Sequence, residues 1–482
     1  MSLAVVVSLG LYLFFTSAFY PLDFLSVFDA KRVLQLALFA AIMIFAVTWT
    51  PLRTATIAQL SRLSVFSRYA LALFFFIGIV SSLRLDHPAY ALIDVSMMFV
   101  MMILIAVTAA SRELSAERFD KWAVLLLAVM GFAVVIQEFM GFVAGWVFGS
   151  EFSYDQALIH FAHPRFYNQL QTWSIPVLAA LPFLFPDRRW VKIGCLVLLG
   201  LQWFLVIAFA ARGTALSLFI AMVFIAFWMP AQRGFWVKFQ LGGLIAGIAI
   251  YSGIIFLNGA LIPQSQSGKF YAHSVGRPMA HTSGRTMLWR LSTEDAVKHP
   301  ILGAGPAQYA CDSDITLPAH PHSFLFQLMG EWGFIAALLV LMLAVSIGWV
   351  FLRDLKRHSK SLSSNRTLQA MLATSLIAGA IHTNLSGLLI MPASQVTVIL
   401  IGGWVLGLSG NTTKSKQNAF LTKPLLFFCA LLACTQFLFS ISEIPYLPER
   451  TKYSESYGPM VPRFWQDGRV CEYDYQFSDA AE

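Results

Sequence analysis

Charged residues are scarce in this sequence. Asp, Glu, Lys and Arg make up only 12% of its 482 residues, whereas apolar side chains make up 58%. A soluble protein of this size needs more polar surface, so the composition excludes an ordinary soluble enzyme or binding protein. Repeated apolar runs of about 18 to 25 residues indicate an all-α, polytopic integral membrane protein, because about 20 apolar residues cross the hydrocarbon core.

Several motifs are also absent. The predicted cytoplasmic loops contain no glycine-rich phosphate cradle, and no repeat of fixed period runs along the chain. The net charge of +8 comes from basic residues spread among many loops, which is typical of membrane topology and not of a nucleic-acid-binding surface. We therefore expect no nucleotide site and no nucleic-acid partner.

Cysteine is rare, with five residues in the chain. Cys195, Cys429 and Cys434 lie in predicted membrane spans, where a cysteine usually acts as a small buried hydrophobe. Cys311 and Cys471 fall on the predicted outer, oxidising side. A disulfide between these two, which would tie the C-terminal tail to the long outer loop, is a hypothesis.

Hydropathy predicts about twelve to thirteen transmembrane helices. The first apolar segment has no basic flank before it and no small-residue cleavage site after it, which favours a helix over a signal peptide. The thirteen predicted spans are 3–20, 33–50, 69–84, 91–110, 122–148, 172–186, 191–211, 213–230, 239–257, 330–352, 368–390, 393–410 and 424–442. They divide the chain into helices 1 to 9 within residues 1–257, a loop at 258–329, helices 10 to 13 within 330–442, and a tail at 443–482.

The basic residues of the short loops predict the orientation. With the N-terminus in the cytoplasm, most Lys and Arg residues of the short loops lie inside, as the positive-inside rule requires. The outer loop 149–171, the loop 258–329 and the tail then lie outside, together with eight of the ten histidines. We expect the chemistry on this face, above all in the long loop, which we predict to contain short helices.

Arg212 stands at the predicted outer mouth of two spans and begins the second of them. A helix N-terminus carries unpaired N–H groups and a partial positive charge, and a guanidinium adds a fork that suits phosphate. The position therefore indicates an anion site, although a single interfacial arginine is equally typical of a snorkelling anchor.

Gly284-Arg285-Thr-Met-Leu-Trp289 is typical of the start of an amphipathic helix, with Ser283 or Thr282 as its cap. Arg285 and Trp289 are four residues apart and share a face, so an arginine beside an aromatic surface can reach outward. Two further arginines, Arg277 and Arg290, are reserve candidates for binding a ligand and otherwise solvated surface residues.

His320-Pro-His322 stands immediately before a long apolar helix. If His322 lies in the first turn, the positive helix end disfavours its protonation, and a neutral imidazole beside arginines is a suitable general base. His320 is a second-rank candidate. Two histidine pairs raise the possibility of zinc, but no acidic or thiol ligand at a familiar spacing completes such a site, so we predict no metal.

Residues 163–173 combine amides, an arginine and aromatic rings where the chain enters a span from outside. Arg165, Asn168 and Gln169 offer hydrogen bonds beside stacking faces, a mixture that suits a sugar. The same mixture is also ordinary in the aromatic belt at a membrane interface.

Together these residues resemble the O-antigen ligase superfamily of bacterial envelope glycosyltransferases. The superfamily includes lipopolysaccharide O-antigen ligases, O-antigen polymerases and O-oligosaccharyltransferases that modify pilins. Its short elements are matched in order by Arg212 with Leu216, by Gly284, Arg285 and Trp289, by His299, Pro300, Gly303 and Gly305, and by His322 with Gly333.

The resemblance implies en bloc transfer of a glycan from an undecaprenyl-diphosphate carrier to an acceptor hydroxyl, at the periplasmic side of a bacterial inner membrane. The leaving group is a lipid diphosphate, so positive charge must meet the developing negative charge. Arg212 and Arg285 are expected to bind the diphosphate, and His322 to deprotonate or orient the acceptor hydroxyl for an inverting displacement. The scheme needs no metal, nucleotide or other cofactor.

Three acceptors remain open: a protein Ser or Thr such as that of a pilin, a sugar of lipid A-core, and a second carrier-linked glycan. An aromatic-rich tail favours a protein, and its aromatic residues are Tyr446, Tyr453, Tyr457, Phe464, Trp465, Tyr473 and Tyr475. A transporter or flippase of lipid-linked glycan is the alternative from another class. Transport usually leaves ionisable groups near the bilayer midplane, and Glu138, His382 and Asp94 are the candidates for that role.

Overall fold

The computed structural model describes residues 1–20, 22–86, 88–152, 157–231, 233–263, 268, 284–311, 318–357, 364–408, 419–450 and 462–468. These residues are almost entirely helical, and no β-strand occurs within these ranges. The helices of the first half are α1 (Ala4–Ala18), α2 (Val27–Thr48), α3 (Thr50–Ser61), α4 (Val65–Leu83), α5 (Pro88–Ser115), α6 (Glu117–Phe148), α7 (Pro164–Leu178) and α8 (Leu181–Leu184). The helices of the second half are α9 (Arg189–Ala208), α10 (Arg212–Trp228), α11 (Arg233–Leu261), α12 (Arg285–Lys298), α13 (Phe324–Arg357), α14 (Ser364–His382), α15 (Pro392–Leu408) and α16 (Ala419–Glu443).

The prediction of an all-α membrane protein is confirmed. Among the described residues, eight helices are long and apolar enough to cross a membrane, namely α2, α4, α5, α6, α9, α11, α13 and α16. Three shorter helices, α1, α10 and α15, are also apolar. Each of the thirteen predicted spans coincides with one of these helices or with α7 or α14, the span at 172–186 being shared between α7 and the short α8.

Two predicted boundaries are wrong because the end of a helix does not coincide with the end of an apolar run. Helix α13 begins at Phe324 and not at residue 330, because its first turns carry polar residues such as Gln327 and Glu331 that lower the local hydropathy. Helix α14 ends at His382 and not at residue 390, because Asn384 and Gly387 interrupt the helix although apolar residues follow them. A prediction from hydropathy alone assigns the polar turns of a helix to a loop and an apolar loop to a helix.

Most of the helices pack in closely contacting pairs. Helix α9 lies along α11, α5 along α15, α1 along α6 and α2 along α16. In the α9–α11 pair a Cβ on Gly247 would lie 2.7 Å from the Cβ of Trp203, so the small residue lets the two backbones approach closely.

Helix α7 is the most polar of the buried helices. All but two of its fifteen residues are buried, and its amides and hydroxyls bond to neighbouring helices. Examples are the bond from Gln171 Nε2 to Gln202 Oε1 at 2.9 Å and the bond from Tyr167 OH to the same oxygen at 2.8 Å. Since an unpaired polar group inside a membrane is costly, these bonds fix α7 within the bundle. Its N-terminal end is thereby held in one place.

Helix α13 is broken at Gly333, where φ is 83° and ψ is 171°. We call residues 324–332 the entry turns of α13. The break leaves backbone groups unpaired within the helix, and the loop after α12 takes them up. Ala304 N donates to Gly330 O at 2.7 Å, Gly305 N to Glu331 O at 2.9 Å, and Phe334 N to the Pro300 carbonyl at 3.0 Å. The entry turns are therefore a short unit fixed by its own contacts.

Candidate active site

His322 lies just before the entry turns, in the left-handed backbone region with φ 54°. A non-glycine residue in this region is uncommon and is held there by its surroundings. On one side Trp289 Nε1 donates to the Pro321 carbonyl at 3.0 Å, and the Trp289 indole stacks on Phe326 with centroids 5.1 Å apart. On the other side Phe324 N donates to the Thr383 carbonyl at 3.0 Å. The position of His322 is thus set from both neighbouring elements.

Ser323 and Asn384 complete the start of α13. Leu325 N donates to Asn384 Oδ1 at 3.2 Å, and Ser323 Oγ is 3.3 Å from the same oxygen. These contacts satisfy backbone N–H groups that the first turn of a helix leaves unpaired. The loop after α14 therefore acts as the cap of α13.

Two arginines act electrostatically on His322. Burial and, to a smaller extent, the charges of Arg285 and Arg165 lower the pKa of His322 to about 4. The imidazole is therefore neutral at pH 7 and can accept a proton. The predicted neutrality agrees, but the cause differs: α13 begins two residues after His322, and burial with two cations replaces the helix end as the reason.

Arg212 begins α10, directly after a turn in which Ala210 has φ 50°. The next residue, Gly213, lies against His382 at the end of α14, and a Cβ on Gly213 would lie 2.8 Å from His382 Nε2. His382 Nδ1 is 2.7 Å from the hydroxyl of Thr172 on α7. Arg285 is close enough to act electrostatically on His382 as well as on His322. The beginning of α10 therefore lies against His382, the beginning of α7 carries an arginine that acts on His322, and the beginning of α12 carries one that acts on both histidines.

Each of these three helices carries an arginine in its first turn: Arg165 in α7, Arg212 in α10 and Arg285 in α12. A cation is unfavourable at a helix N-terminus, where the partial charge is already positive. Arg165 and Arg285 act on His322, and Arg212 begins the helix that contacts His382. Such a group of cations suits an anion with several oxygens, such as a diphosphate.

The start of α12 at Arg285 confirms the predicted helix, but its predicted cap is wrong. The N-cap is Gly284, with φ 76° and no side-chain hydrogen bond, and not Ser283 or Thr282. Trp289, predicted to contact the substrate, has its indole N–H bonded within the protein and its ring stacked on Phe326. Arg290 is exposed and bonded to Glu294 at 2.8 Å, as predicted for a surface residue.

His320 lies behind His322. It is 3% exposed, its ring centroid is 4.4 Å from that of His322, and a Cβ on Gly387 would lie 2.2 Å from its Nε2. Burial holds the pKa of His320 well below its usual range, and the nearby His322 and Arg463 act in the same direction. His320 is a neutral ring that supports His322 from inside the protein.

Asn168 and Gln169, predicted to contact sugar, are both 3% exposed. Asn168 Nδ2 donates to Gln171 Oε1 at 2.8 Å, and the Asn168 carbonyl accepts from Thr214 at 2.8 Å. Gln169 Nε2 donates to Ser386 Oγ at 2.9 Å. The two amides connect α7 to α10 and to the loop after α14, while Asn168 Oδ1 and Gln169 Oε1 have no hydrogen-bond partner among the described residues.

Other predicted residues lie outside the described part of the chain. Arg277 and Cys471 belong to undescribed segments, as does the side chain of Cys311, so the disulfide hypothesis stays a prediction. Within the described ranges, no group of three or more His, Cys, Asp and Glu side chains is arranged to hold a metal ion.

Sequence reasoning missed His382 as a site residue. It grouped His382 with Glu138 and Asp94 as candidates for the bilayer midplane, but His382 is the last residue of α14 and faces the start of α10. Asp94 lies in the second turn of α5 and pairs with Arg463 at 3.1 Å, and Glu138 accepts from Leu158 N at 2.8 Å. One available signal was His382-Thr-Asn384, a polar triplet that ends an apolar run.

An apolar cavity of about 370 Å³ adjoins the site between α4, α5, α13 and α15. Phe324 and Gln327 of the entry turns line it, so it begins near His322 and continues between the helices. The apolar part of its lining includes Phe74, Met98, Met101, Leu343 and Ala344. Its polar end includes Arg32, Asp94, Gln395 and Arg463.

Part of the chain that forms this site is similar to a known protein family. Residues 195–341 match the O-antigen ligase family, a segment that runs from α9 into α13 and contains Arg212, Arg285 and His322. No curated protein matches the chain. The matched segment thus holds the three residues on which the resemblance depends, and the chain is a multi-pass membrane protein with a segment similar to the O-antigen ligase family.

Proposed function

We propose that this protein transfers a glycan en bloc from undecaprenyl diphosphate to an acceptor hydroxyl at the periplasmic face of a bacterial inner membrane. One observation carries the proposal: two arginines in the first turns of their helices, Arg165 and Arg285, act on a neutral His322, and a third, Arg212, begins the helix that lies against the nearby His382. This arrangement supplies both requirements of the reaction, positive charge for a diphosphate leaving group and a base for the acceptor.

The arginines bind the diphosphate in this proposal. Arg212 and Arg285 hold its oxygens, assisted by backbone N–H groups of the same first turns, and Arg165 adds a further positive charge close to His322. As the bond between the anomeric carbon and the phosphate oxygen breaks, its electron pair passes to the diphosphate. The guanidinium groups stabilise that charge, so the step requires no metal ion.

His322 is the base. The acceptor oxygen attacks the anomeric carbon opposite the leaving diphosphate, its proton passes to the imidazole, and the configuration at that carbon is inverted. A pKa of about 4 makes His322 a weak base in the free protein. Binding of the diphosphate neutralises the arginines that help to lower this pKa, so the donor itself strengthens the base.

The apolar cavity suits the lipid chain of the donor. It begins at the entry turns and follows α5 from Asp94 to Ile105, which is roughly 16 Å at 1.5 Å per residue. A chain anchored there leaves the head group at the three arginines.

The acceptor has less support than the donor. The predicted preference for a pilin-like protein relied on an exposed aromatic tail, but Trp465 is fully buried and Phe464 is packed against Trp465 and Tyr90. These two rings are therefore not available to dock an acceptor. A protein Ser or Thr remains the first acceptor to test, and lipid A-core or a growing glycan is the alternative.

The deciding experiment compares cells with and without this gene in a strain whose glycan pathway is intact. Intact-mass spectrometry of periplasmic and pilin-like proteins, with lipopolysaccharide gels from the same cells, reports all three acceptors. Loss of a glycan mass from a protein supports protein O-glycosylation, and loss of the polymer ladder supports ligation or polymerisation. Unchanged protein masses together with an unchanged lipopolysaccharide ladder would contradict glycan transfer.

A His322→Ala variant distinguishes the proposed enzyme from the alternative, a transporter of lipid-linked glycan. We expect transfer to fall by about two to four orders of magnitude, while the protein remains inserted and still binds the lipid-linked donor. His299→Ala is the matched control, because His299 lies in the same loop with an exposed side chain, and its backbone bonds survive the change: its carbonyl accepts from Gly303 N at 2.8 Å and its N–H donates to the Asp295 carbonyl at 2.9 Å. Full transfer by His322→Ala would favour transport.

A further inference from the structure

Residues 462–468 form a strap that lies inside the helical bundle although it belongs to the C-terminal tail. Trp465 is fully buried and packs with Leu25, Ala30 and Val33 around the start of α2. Gln466 N donates to Asp29 Oδ1 at 2.6 Å. The strap is therefore anchored by both apolar burial and backbone hydrogen bonds.

Arg32 of α2 binds the backbone of the strap. Its Nε donates to the Phe464 carbonyl at 2.9 Å, and its Nη1 donates to Gln395 Oε1 at 2.5 Å. Arg32 is 2% exposed and makes these bonds with uncharged acceptors. The arginine thus joins the strap to α15 and fixes the place from which the strap side chains extend.

Arg463 of the strap bridges two helices. Its Nη2 donates to Glu331 Oε2 at 2.6 Å and to Asp94 Oδ2 at 3.1 Å, and the Arg463 side chain is 4% exposed. Asp94 belongs to α5, whereas Glu331 lies in the entry turns of α13. Gln327, one turn earlier, donates to the same Glu331 oxygen at 3.3 Å. A buried charge pair of this kind fixes geometry because leaving either partner unpaired is costly.

Among the described residues, the entry turns are also held by the stacking of Trp332 on Phe74 and of Phe326 on Trp289, and by hydrogen bonds at their two ends. Their N-terminal end is bonded to the loop after α14, and their C-terminal end, at the Gly333 break, is bonded to residues 300–305. Arg463 contacts their side facing α5. Since His322 precedes this unit by two residues, a shift of the unit moves the imidazole relative to the arginines, which lie on α7, α10 and α12.

We propose that Arg463 is a positioning residue for His322: by pairing with Glu331 and Asp94, the C-terminal strap sets the entry turns of α13 and hence the catalytic imidazole. This inference rests on the proposed function for its catalytic consequence. It assigns to the tail a role in the chemistry and not in acceptor docking.

Arg450 provides a matched control. It also lies in the C-terminal part of the chain, is 8% exposed, and pairs with Glu443 at 2.7 Å and with the Tyr90 hydroxyl at 2.8 Å. These partners belong to α16 and α5 and not to the entry turns. Arg463→Gln removes the ion pairs with Glu331 and Asp94, and Arg450→Gln removes the ion pair with Glu443, so a general loss of stability should affect both variants.

The test uses purified full-length protein, lipid-linked glycan from the same strain as donor, and the acceptor identified as described above. We expect Arg463→Gln to lower kcat at least tenfold, a larger factor than any rise in donor KM, because the donor arginines are not displaced and Arg463 lines only the polar end of the cavity. Arg463→Lys should retain at least a third of kcat, since it keeps the charge. Arg450→Gln should retain more than half. Equal losses in the two glutamine variants, or a rise in donor KM that accounts for the loss, would overturn the proposal.

A second readout needs no substrate. The rate at which diethyl pyrocarbonate modifies His320 at pH 7, resolved by peptide mass spectrometry, reports how closely the entry turns are held. We expect at least a fivefold higher rate in Arg463→Gln than in Arg450→Gln, and the same direction in Glu331→Gln if Arg463→Gln does not accumulate. Unchanged rates refute positioning by the strap. Raised rates in a protein whose wild type transfers no glycan would leave the strap inference intact and refute the proposed function.

Discussion

Gly303 lies directly against the backbone of Glu331, so close that a Cβ on Gly303 would be 2.2 Å from the Glu331 carbonyl carbon. Gly303 also has φ 67°, and Gly333 on the opposite side has φ 83° with a Cβ position 2.6 Å from the Ile301 carbonyl oxygen. The His-Pro-x-x-Gly-x-Gly element is therefore a backbone dock for the break in α13. Its glycines permit this close approach of the two backbones.

Gly303→Ala should release this dock. A side chain there meets backbone atoms that cannot move aside and a backbone conformation unfavourable for alanine, which together cost roughly 2 to 5 kcal/mol. We expect a lower melting temperature in detergent and loss of glycan transfer. Gly348→Ala, in the lipid-facing part of α13 with no atom within 4 Å of the added Cβ, is the control and should melt like the wild type. Equal melting temperatures for the two variants would contradict the dock.

Arg285→Ala should weaken donor binding. One charge-assisted contact to phosphate contributes about 1.5 to 3 kcal/mol, so we expect the donor KM to rise roughly 10- to 150-fold. Arg290→Ala removes an arginine from the same helix, but Arg290 is exposed and bonded to Glu294, so its KM should stay within twofold of the wild type. Donor titrations of the two variants check this directly, and similar KM values would remove Arg285 from the diphosphate site.

The pH dependence of the reaction should differ between the free enzyme and the donor complex. Neutral His322 is the active form, so activity falls as the pH drops through its pKa. In the free enzyme burial and the charges of Arg285 and Arg165 lower this pKa to about 4, and kcat/KM should stay high until the pH approaches that value. Bound diphosphate offsets the arginine charges, so the acid limb of kcat should lie at a higher pH. Coincident acid limbs would argue against this electrostatic coupling.

Filling the apolar cavity should hinder the lipid chain. Ala344 lines the cavity, whereas its neighbour Val345 is 62% exposed and does not. We expect Ala344→Trp to raise the KM for the long-chain donor at least fivefold, and Val345→Trp to leave it nearly unchanged. A donor with a shortened prenyl chain should discriminate less between the two variants. If Ala344→Trp binds the long-chain donor normally, the chain lies elsewhere.

Much of the fold was predictable from the sequence because crossing a bilayer imposes a local rule. A run of about 20 apolar residues must form a helix in which all backbone groups are paired, and every predicted span coincides with a helix. The rule fails where a helical segment is polar or an apolar segment is not helical, as in the polar entry turns at 324–332 and the apolar loop before α15.

The candidate site was predictable only in part. Arg212 and Arg285 each begin a helix, and His322 stands before one, and these are positions that a sequence pattern can indicate. That Arg165 belongs with them, or that His382 faces Gly213, depends on how α7, α10 and α14 pack together. No local pattern encodes which helix ends meet.

The sequence by itself determined that the chain is a bundle of membrane helices and which polar residues interrupt them, because hydrophobic length and helix-starting residues act over a few neighbouring positions. Only the tertiary structure decided that the strap at 462–468 is buried and that Arg463 pairs with Glu331, 132 residues away. A buried ion pair forms where two distant side chains are brought together without water. Packing of the whole bundle creates that place.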